Sequence, residues 1–393
     1  MTAFKKAILF LHRWLGFISG LVVFVISITA CIYCFQDEIQ DALLDYRKVK
    51  VIQAPILSPS RLQQIARLRY PEGKISLINY YTSNRSVQVR ITVKQKLHSI
   101  YIDPYTGNIL YDDKDFKHNF FNTVKEIHLY CFFPPVAGKV VVGVSTGVYL
   151  ILLVSGIVLW WPKRKIDRRR SLTIKWNGRA RRLNYDLHNV LGFYTFTIAF
   201  ILGLSGLAIS YDWLSHAFYV SVNGGKAHPQ ELKKFTSDTT LHTSLTAGSI
   251  PPIDIAYNQV RQSSPQAQMM LILPGAKKES PMSFIAYPKT LNFSYSDNYS
   301  FDKYSGRLLK YLPYTQKSAG LKLLGMDYDI HVGQIAGLTG KILAFLASLV
   351  SASLPVTGLI VYLGKRKKTK RKSVRKKVIT QRKTKVSQTI QTP

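Results

Sequence analysis

The chain has 393 residues, and its 54 lysines and arginines against 21 acidic residues give a formal net charge of +33. In a soluble protein of this size, such an excess favours a nucleic-acid partner. The basic residues are instead concentrated in short segments that flank long uncharged runs. Membrane topology therefore explains much of the charge, and no nucleic-acid partner is expected.

Four uncharged apolar runs are each long enough to cross a bilayer, which takes about 20 residues of helix. They cover residues 14–35, 140–161, 187–211 and 342–364. The first run begins too late and is too long for a cleaved signal peptide, and no small-residue cleavage site follows it. The sequence therefore predicts four retained transmembrane helices in a lipid bilayer.

Basic residues precede the first run, fill the segment between the second and third, and follow the fourth, whereas the two long loops carry both signs. The positive-inside rule places both termini and the short middle loop in the cytoplasm, where they also attract anionic lipid head groups. The predicted order is 1–35 (N-terminus and first span), 36–127 (first outward domain), 128–161 (second span), 162–186 (basic cytoplasmic loop), 187–211 (third span), 212–330 (second outward domain), 331–364 (fourth span) and 365–393 (basic cytoplasmic tail, expected to be disordered).

Both outward segments combine one helix with several strands. The helices are predicted at 61–69 and 252–262, and alternating apolar and polar residues predict strands at 75–81, 86–93, 99–102, 269–273, 282–287 and 298–301. The turn Asp103-Pro104-Tyr105-Thr106-Gly107 has an echo in Asp302-Lys303-Tyr304-Ser305-Gly306. The predicted fold is an α-helical membrane protein of four transmembrane helices, arranged as two parallel repeats that each carry an outward α+β domain.

These landmarks resemble the PepSY-associated transmembrane family, often described as iron-regulated membrane proteins. The resemblance covers nearly the whole chain. Its carriers, besides the two turns, are Leu11-His12-Arg13-Trp14-Leu15-Gly16, Asp186-Leu187-His188-Asn189-Val190-Leu191-Gly192 and Ser155-Gly156-Ile157-Val158-Leu159-Trp160-Trp161-Pro162-Lys163.

The resemblance implies PepSY-like outward domains in the periplasm and a bacterial inner-membrane location. Similar proteins include ferric-siderophore reductases that hold b-type haem between their helices. It therefore implies transmembrane electron transfer to a ferric siderophore or other ferric chelate. No nucleotide-binding or nucleophile motif is present, so the donor is expected to be a cytoplasmic reductase or quinol. PepSY domains elsewhere accompany peptidases and are thought to regulate them.

One histidine stands near the start of each span, and the two repeats relate His12 to His188 and His128 to His331. The first pair is expected near the cytoplasmic face and the second near the outer face. Two imidazoles that face each other across a helix bundle can hold haem iron. We therefore predict two haem b groups with these four ligands, one near each face. A single metal ion bound by all four is disfavoured, because the histidines are split between the faces.

Several alternatives stay open at this point. The histidines can instead lie among lipid head groups, and His216 is an alternative outer ligand. Span glycines such as Gly206 are explained by ordinary helix packing, although they also leave room for a planar cofactor. Cys31, Cys34 and Cys131 serve as small core residues, or one of the first two pairs with Cys131. The rival functions are a non-redox PepSY module that regulates a peptidase or senses a ligand, and a permease for iron complexes.

Overall fold

The computed structural model describes residues 2–162, 164–240 and 249–389. Within those ranges the α-helices are α1 (Ala3–Cys34), α2 (Gln36–Leu43), α3 (Pro59–Arg69), α4 (Phe120–Tyr130), α5 (Pro135–Trp160), α6 (Lys165–Ser171), α7 (Ala180–Asp186), α8 (Gly192–Ser210), α9 (Asp212–Val222), α10 (Pro229–Leu232), α11 (Pro252–Ser263), α12 (Ala319–His331) and α13 (Gly337–Thr389). The chain divides into a first unit of Met1–Cys31, His128–Gly203 and Phe345–Pro393, and a second unit of Ile32–Ile127 and Leu204–Ala344.

Four helical segments among the described residues are long and apolar enough to cross a membrane. They are span 1 (Ala3–Cys34), span 2 (Pro135–Trp160), span 3 (Ala180–Ser210) and span 4 (Gln334–Gly364). The prediction of four membrane-length helices is confirmed, because uncharged runs of this length satisfy their backbone hydrogen bonds in lipid only as helices. The backbone of α13 continues to Thr389, through the tail that the sequence predicts to be disordered.

The second and fourth spans begin later than predicted. His128 lies in the last turn of α4, and His331 is the last residue of α12. The chain then turns sharply, with positive φ angles at Cys131 and Phe132 in one case and at Gly333 and Gly337 in the other. The sequence predicts each histidine near the start of a span, and in the structure a local break separates His128 and His331 from the spans that follow them.

The strands of segments 36–127 and 212–330, which were predicted to form two separate domains, belong instead to one antiparallel sheet. They are β1 (Lys74–Tyr80), β2 (Val87–Val93), β3 (Lys96–Ile102), β4 (Ile109–Asp113), β5 (Met269–Leu273), β6 (Met282–Tyr287), β7 (Asp297–Phe301) and β8 (Leu308–Leu312). Their order is β4-β3-β2-β1-β5-β6-β7-β8. The predicted α+β content is present in both segments, and the pairing of Ile78 with Ile272 joins the two halves at the centre of the sheet.

One hydrophobic core serves both halves of the sheet. Its helical side chains include Leu62 and Ala66 of α3 and Ala256 and Val260 of α11, and its strand side chains include Ile78, Val89, Ile100, Ile272, Phe284 and Phe301. Each of these is fully buried or nearly so. Because side chains alternate across a strand, the inward residues of β1–β3 and β5–β7, with Leu308 of β8 at the edge, form a single apolar face under the two helices.

The two turns noticed in the sequence have the same geometry. The side chain of Asp103 accepts hydrogen bonds from the backbone N–H groups of Tyr105 and Thr106. In the same way, the side chain of Asp302 accepts hydrogen bonds from the backbone N–H groups of Tyr304 and Ser305. Gly107 and Gly306 follow with φ of +79° and +74°. A left-handed residue at that position requires glycine, which explains why both turns carry it.

Candidate functional site

His12 of α1 is held by a serine of α5. Its Nδ1 lies 2.8 Å from Ser155 Oγ, and this hydroxyl donates its own hydrogen to the Leu152 carbonyl at 3.1 Å. Because the hydroxyl hydrogen is used, the oxygen accepts from the imidazole, and Nδ1 must carry the proton. The lone pair is then on Nε2, to which the described residues give no hydrogen bond.

His188 has the same arrangement in the other half of the chain. Its Nδ1 lies 2.9 Å from Thr357 Oγ1, and the threonine hydroxyl donates to the Ser353 and Leu354 carbonyls. The proton is again on Nδ1. His188 lies in a π-helical turn, Leu187–Leu191, that joins α7 to α8. Such widened turns are found mostly at functional positions of helices.

His128 is held by span 1. Its Nδ1 lies 3.1 Å from Thr29 Oγ1 and 2.9 Å from the Ile26 carbonyl, which can only accept, so Nδ1 carries the proton here too. Burial lowers the pKa of His128 below its usual range, opposed by the hydrogen bond to Ile26. His331 also has a hydroxyl neighbour, because its Nδ1 lies 3.1 Å from Ser205 Oγ of span 3.

The four contacts form a reciprocal pattern. The histidine of span 1 binds a hydroxyl of span 2, and the histidine before span 2 binds a hydroxyl of span 1. Spans 3 and 4 repeat this exchange. Sequence reasoning identified the histidines but missed their hydroxyl partners. The usable signal was the match of Ser155-Gly156 with Thr357-Gly358, two residue pairs that stand at the same place before a basic segment.

Glycines bring the imidazole edges against neighbouring helices. A Cβ on Gly156 would lie 3.6 Å from Cε1 of His12, and one on Gly358 would lie 3.2 Å from Cε1 of His188. A Cβ on Gly206 would lie only 2.7 Å from Cε1 of His331. Gly206, and to a smaller degree Gly358, therefore makes room for the ring beside it, whereas the contact at Gly156 would be an ordinary one.

His12 and His188 belong to the same unit and lie close enough to interact electrostatically. His128 belongs to the first unit and His331 to the second. Two arginines of the same unit have protein partners: Arg182 is paired with the buried Asp186 at 2.7 Å, and the Arg13 guanidinium lies over the Tyr362 ring.

The other polar candidates have local explanations. His98 is buried beside Tyr70, His118 is exposed and paired with Asp115, and His216 is exposed on α9. His242 lies outside the described residues. Cys31, Cys34 and Cys131 are thiols, and Cys34 Sγ lies 3.3 Å from the Lys341 carbonyl. Across the described ranges, no group of three His, Cys, Asp or Glu side chains is placed to hold a metal ion.

The four membrane-length helices, together with a match to the model of a transmembrane family, define a multi-pass membrane protein. The model of the PepSY-associated TM region matches residues 9–365, and the chain belongs to this family. A comparison with curated proteins gives no significant match.

Proposed function

We propose that this protein is a haem-containing electron-transfer protein of the bacterial inner membrane. The observation that carries the proposal is the set of four imidazoles whose Nδ1 atoms are engaged by hydroxyl groups. A histidine that binds a metal usually donates its second N–H to an oxygen, which fixes the ring and raises the basicity of the ligating nitrogen. Four imidazoles that served only to fill space would not be expected all to have a hydroxyl group beside Nδ1.

The residues fit haem b better than a single metal ion. Two imidazoles are enough to hold haem iron, whereas a structural zinc site needs about four protein ligands around one ion. His12 and His188 would hold one group and His128 and His331 a second, with Nε2 as the ligand atom. Bound haem would supply a one-electron centre, and the apolar span side chains would keep water from it.

The distribution of basic residues along the chain supports a direction of electron flow from the cytoplasm outward. The basic middle loop and tail favour a cytoplasmic location for those segments and both termini, and therefore an outward location for the eight-stranded sheet. Electrons would come from a cytoplasmic reductase or from quinol. The acceptor would be a periplasmic ferric siderophore or ferric chelate, as it is for the ferric-siderophore reductases that this chain resembles.

The test is the visible spectrum of the full chain purified in detergent from haem-replete cells, before and after dithionite, with pyridine haemochrome quantification. We expect the sharp reduced bands of bis-histidine haem b and about two haems per chain. A colourless preparation would refute the proposal and favour a PepSY module that regulates a peptidase or senses a ligand.

Histidine variants test the ligand assignment. His12→Ala or His188→Ala should remove one haem and leave the other, and His128→Ala or His331→Ala should remove the second. His118→Ala is the matched control, because this exposed side chain pairs only with Asp115 in its own turn. Retention of both haems by any of the four variants would contradict the assignment of that residue.

A further inference from the structure

The second half of the sheet carries a cavity of about 320 Å³ at the C-terminal end of α11. Pockets of this size and above hold small organic molecules. Four tyrosines, one carboxylate and one serine stand out in its wall: Tyr287, Tyr295, Tyr311, Tyr314, Asp297 and Ser264. The cavity is thus an aromatic chamber with a single negative group.

The carboxylate of Asp297 is fixed by neutral donors. One oxygen accepts from the backbone N–H of Tyr314 at 2.8 Å, and the other accepts from Ser264 Oγ at 2.8 Å. Lys317 is close enough to interact electrostatically with Asp297, but its ammonium group donates its hydrogen bonds to other oxygens and does not line the cavity. Within the described ranges no cation forms an ion pair with Asp297.

The first half of the sheet shows the same place filled. Tyr70 follows α3 as Ser264 follows α11, since each is the first residue after its helix. The Tyr70 hydroxyl donates to Asp112 at 2.7 Å, and Arg69 Nε lies 3.0 Å from the same carboxylate. A phenol therefore occupies the space, and an arginine neutralises the carboxylate.

The strand register makes this correspondence exact in position. Ile100 pairs with Asp112 in the first half, and Tyr299 pairs with Tyr311 at the same distance from the turn in the second. Tyr311 thus stands where Asp112 stands, and Asp297 stands where His98 does. In the second half, Ser264 replaces Tyr70 and Ser263 replaces Arg69. The carboxylate of the second half, Asp297, lies on β7, the strand next to β8.

We propose that this cavity binds an organic ammonium ion, which takes the place that the Arg69 side chain holds in the first half. Asp297 supplies the opposite charge, and Tyr287 and Tyr295 in the wall supply aromatic rings, which attract cations. Of the other two rings, that of Tyr314 already has Lys322 over it at 5.2 Å, and one face of Tyr311 is stacked on Tyr299. The half-exposed rings of Tyr295 and Tyr311, with 45% and 41% of their surface accessible, leave a route from solvent. This site goes beyond the proposed electron transfer and does not depend on haem.

Calorimetric titration of the full chain in detergent with choline tests the proposal, and the uncharged isostere 3,3-dimethylbutan-1-ol is the matched ligand. We expect saturable choline binding that is about tenfold tighter than binding of the alcohol. Asp297→Asn keeps the shape of the side chain and should weaken choline binding by about tenfold. Asp112→Asn is the matched control and should leave it unchanged, because that carboxylate is already neutralised by Arg69.

Ser264→Tyr rebuilds the plug of the first half and should abolish binding. Ser264 is 2% exposed, so thermal unfolding of this variant is checked first, and Asp297→Asn decides the matter if it does not fold. Equal binding of choline and the alcohol, unchanged binding in Asp297→Asn, or no saturable choline binding would each overturn the proposal. The haem spectrum is recorded on the same samples, so failure of either proposal is seen separately.

Discussion

Replacement of Gly206 by alanine tests whether the glycines beside the imidazoles are required by the rings. Carbon atoms in contact lie about 3.5–4.0 Å apart, so the new Cβ, at 2.7 Å from Cε1 of His331, would overlap it by about 1 Å. The ring must then move away, and its 3.1 Å hydrogen bond to Ser205 is stretched or lost. Overpacking of this kind costs about 1–3 kcal/mol, against a gain of about 1 kcal/mol from removing a glycine from a helix.

The other two glycines provide an internal scale. The Cβ of Gly156→Ala makes an ordinary contact at 3.6 Å, and that of Gly358→Ala is tight at 3.2 Å. We therefore expect Gly156→Ala to be neutral or stabilising by up to about 1 kcal/mol, Gly358→Ala to be intermediate, and Gly206→Ala to be the least stable. Thermal unfolding in detergent measures the order, and haem content per chain shows whether His331 has been displaced. Equal stability and equal haem content in Gly206→Ala and Gly156→Ala would refute the reasoning.

Three further predictions follow from single contacts. Ser155→Ala and Thr357→Val remove the acceptors of the imidazole N–H groups and should weaken haem retention by about 10–100-fold, measured by transfer to apomyoglobin. Thr195→Val is the control and should retain haem as the parent protein does, because the Thr195 hydroxyl donates to the Leu191 carbonyl. Glu38→Gln removes the opposite charge that lies 2.8 Å from the buried ammonium of Lys341, although the amide oxygen can still accept its hydrogen bond. Because the Glu38 side chain is 47% exposed, the free energy of unfolding should fall by about 1 kcal/mol. Lys341→Met should cost less in the same denaturation assay, and the reverse order would contradict this. Burial lowers the pKa of Lys317 to about 8, whereas the pKa of lysine in an unfolded chain is about 10.4. Between these two pH values the unfolded chain binds more protons than the folded one, so the free energy of unfolding should rise with pH. Melting temperatures from pH 8 upward should show this rise relative to Lys317→Met, and parallel curves for the two proteins would exclude it.

The spans and strands could be predicted because their signals are local. An uncharged run of sufficient length specifies a membrane helix, and alternation specifies a half-buried strand, so β5 and β6 fall on the predicted residues. The helix breaks before spans 2 and 4 were missed. Pro134 and Pro135 in one case, and Gly333 and Gly337 in the other, separate the histidine-bearing helices from the spans.

The union of segments 36–127 and 212–330 in one sheet could not be predicted from local patterns. The pairing of β1 with β5 depends on which strand edge remains open, and that is decided by the tertiary fold. The hydroxyl partners of the histidines were hidden for a related reason. Ser155 and His12 are far apart in the chain, and a serine in a membrane helix ordinarily bonds to its own backbone, as Ser155 also does.

The cavity beside Asp297 was equally invisible in the sequence. It exists because Ser264 is small where Tyr70 is large, and that difference has meaning only when the two halves of the sheet are superimposed residue by residue. A sequence repeat identifies shared turns more readily than it identifies a missing side chain.

The central pairing of β1 with β5 has a consequence for biogenesis. The two strands are almost two hundred residues apart in the chain, with two spans and the middle loop between them. While the ribosome completes that interval, β1 presents an open row of backbone donors and acceptors. A neighbouring nascent chain can supply β5 to that edge as well as the same chain can, so we expect exchange of halves between two molecules as a route of misassembly.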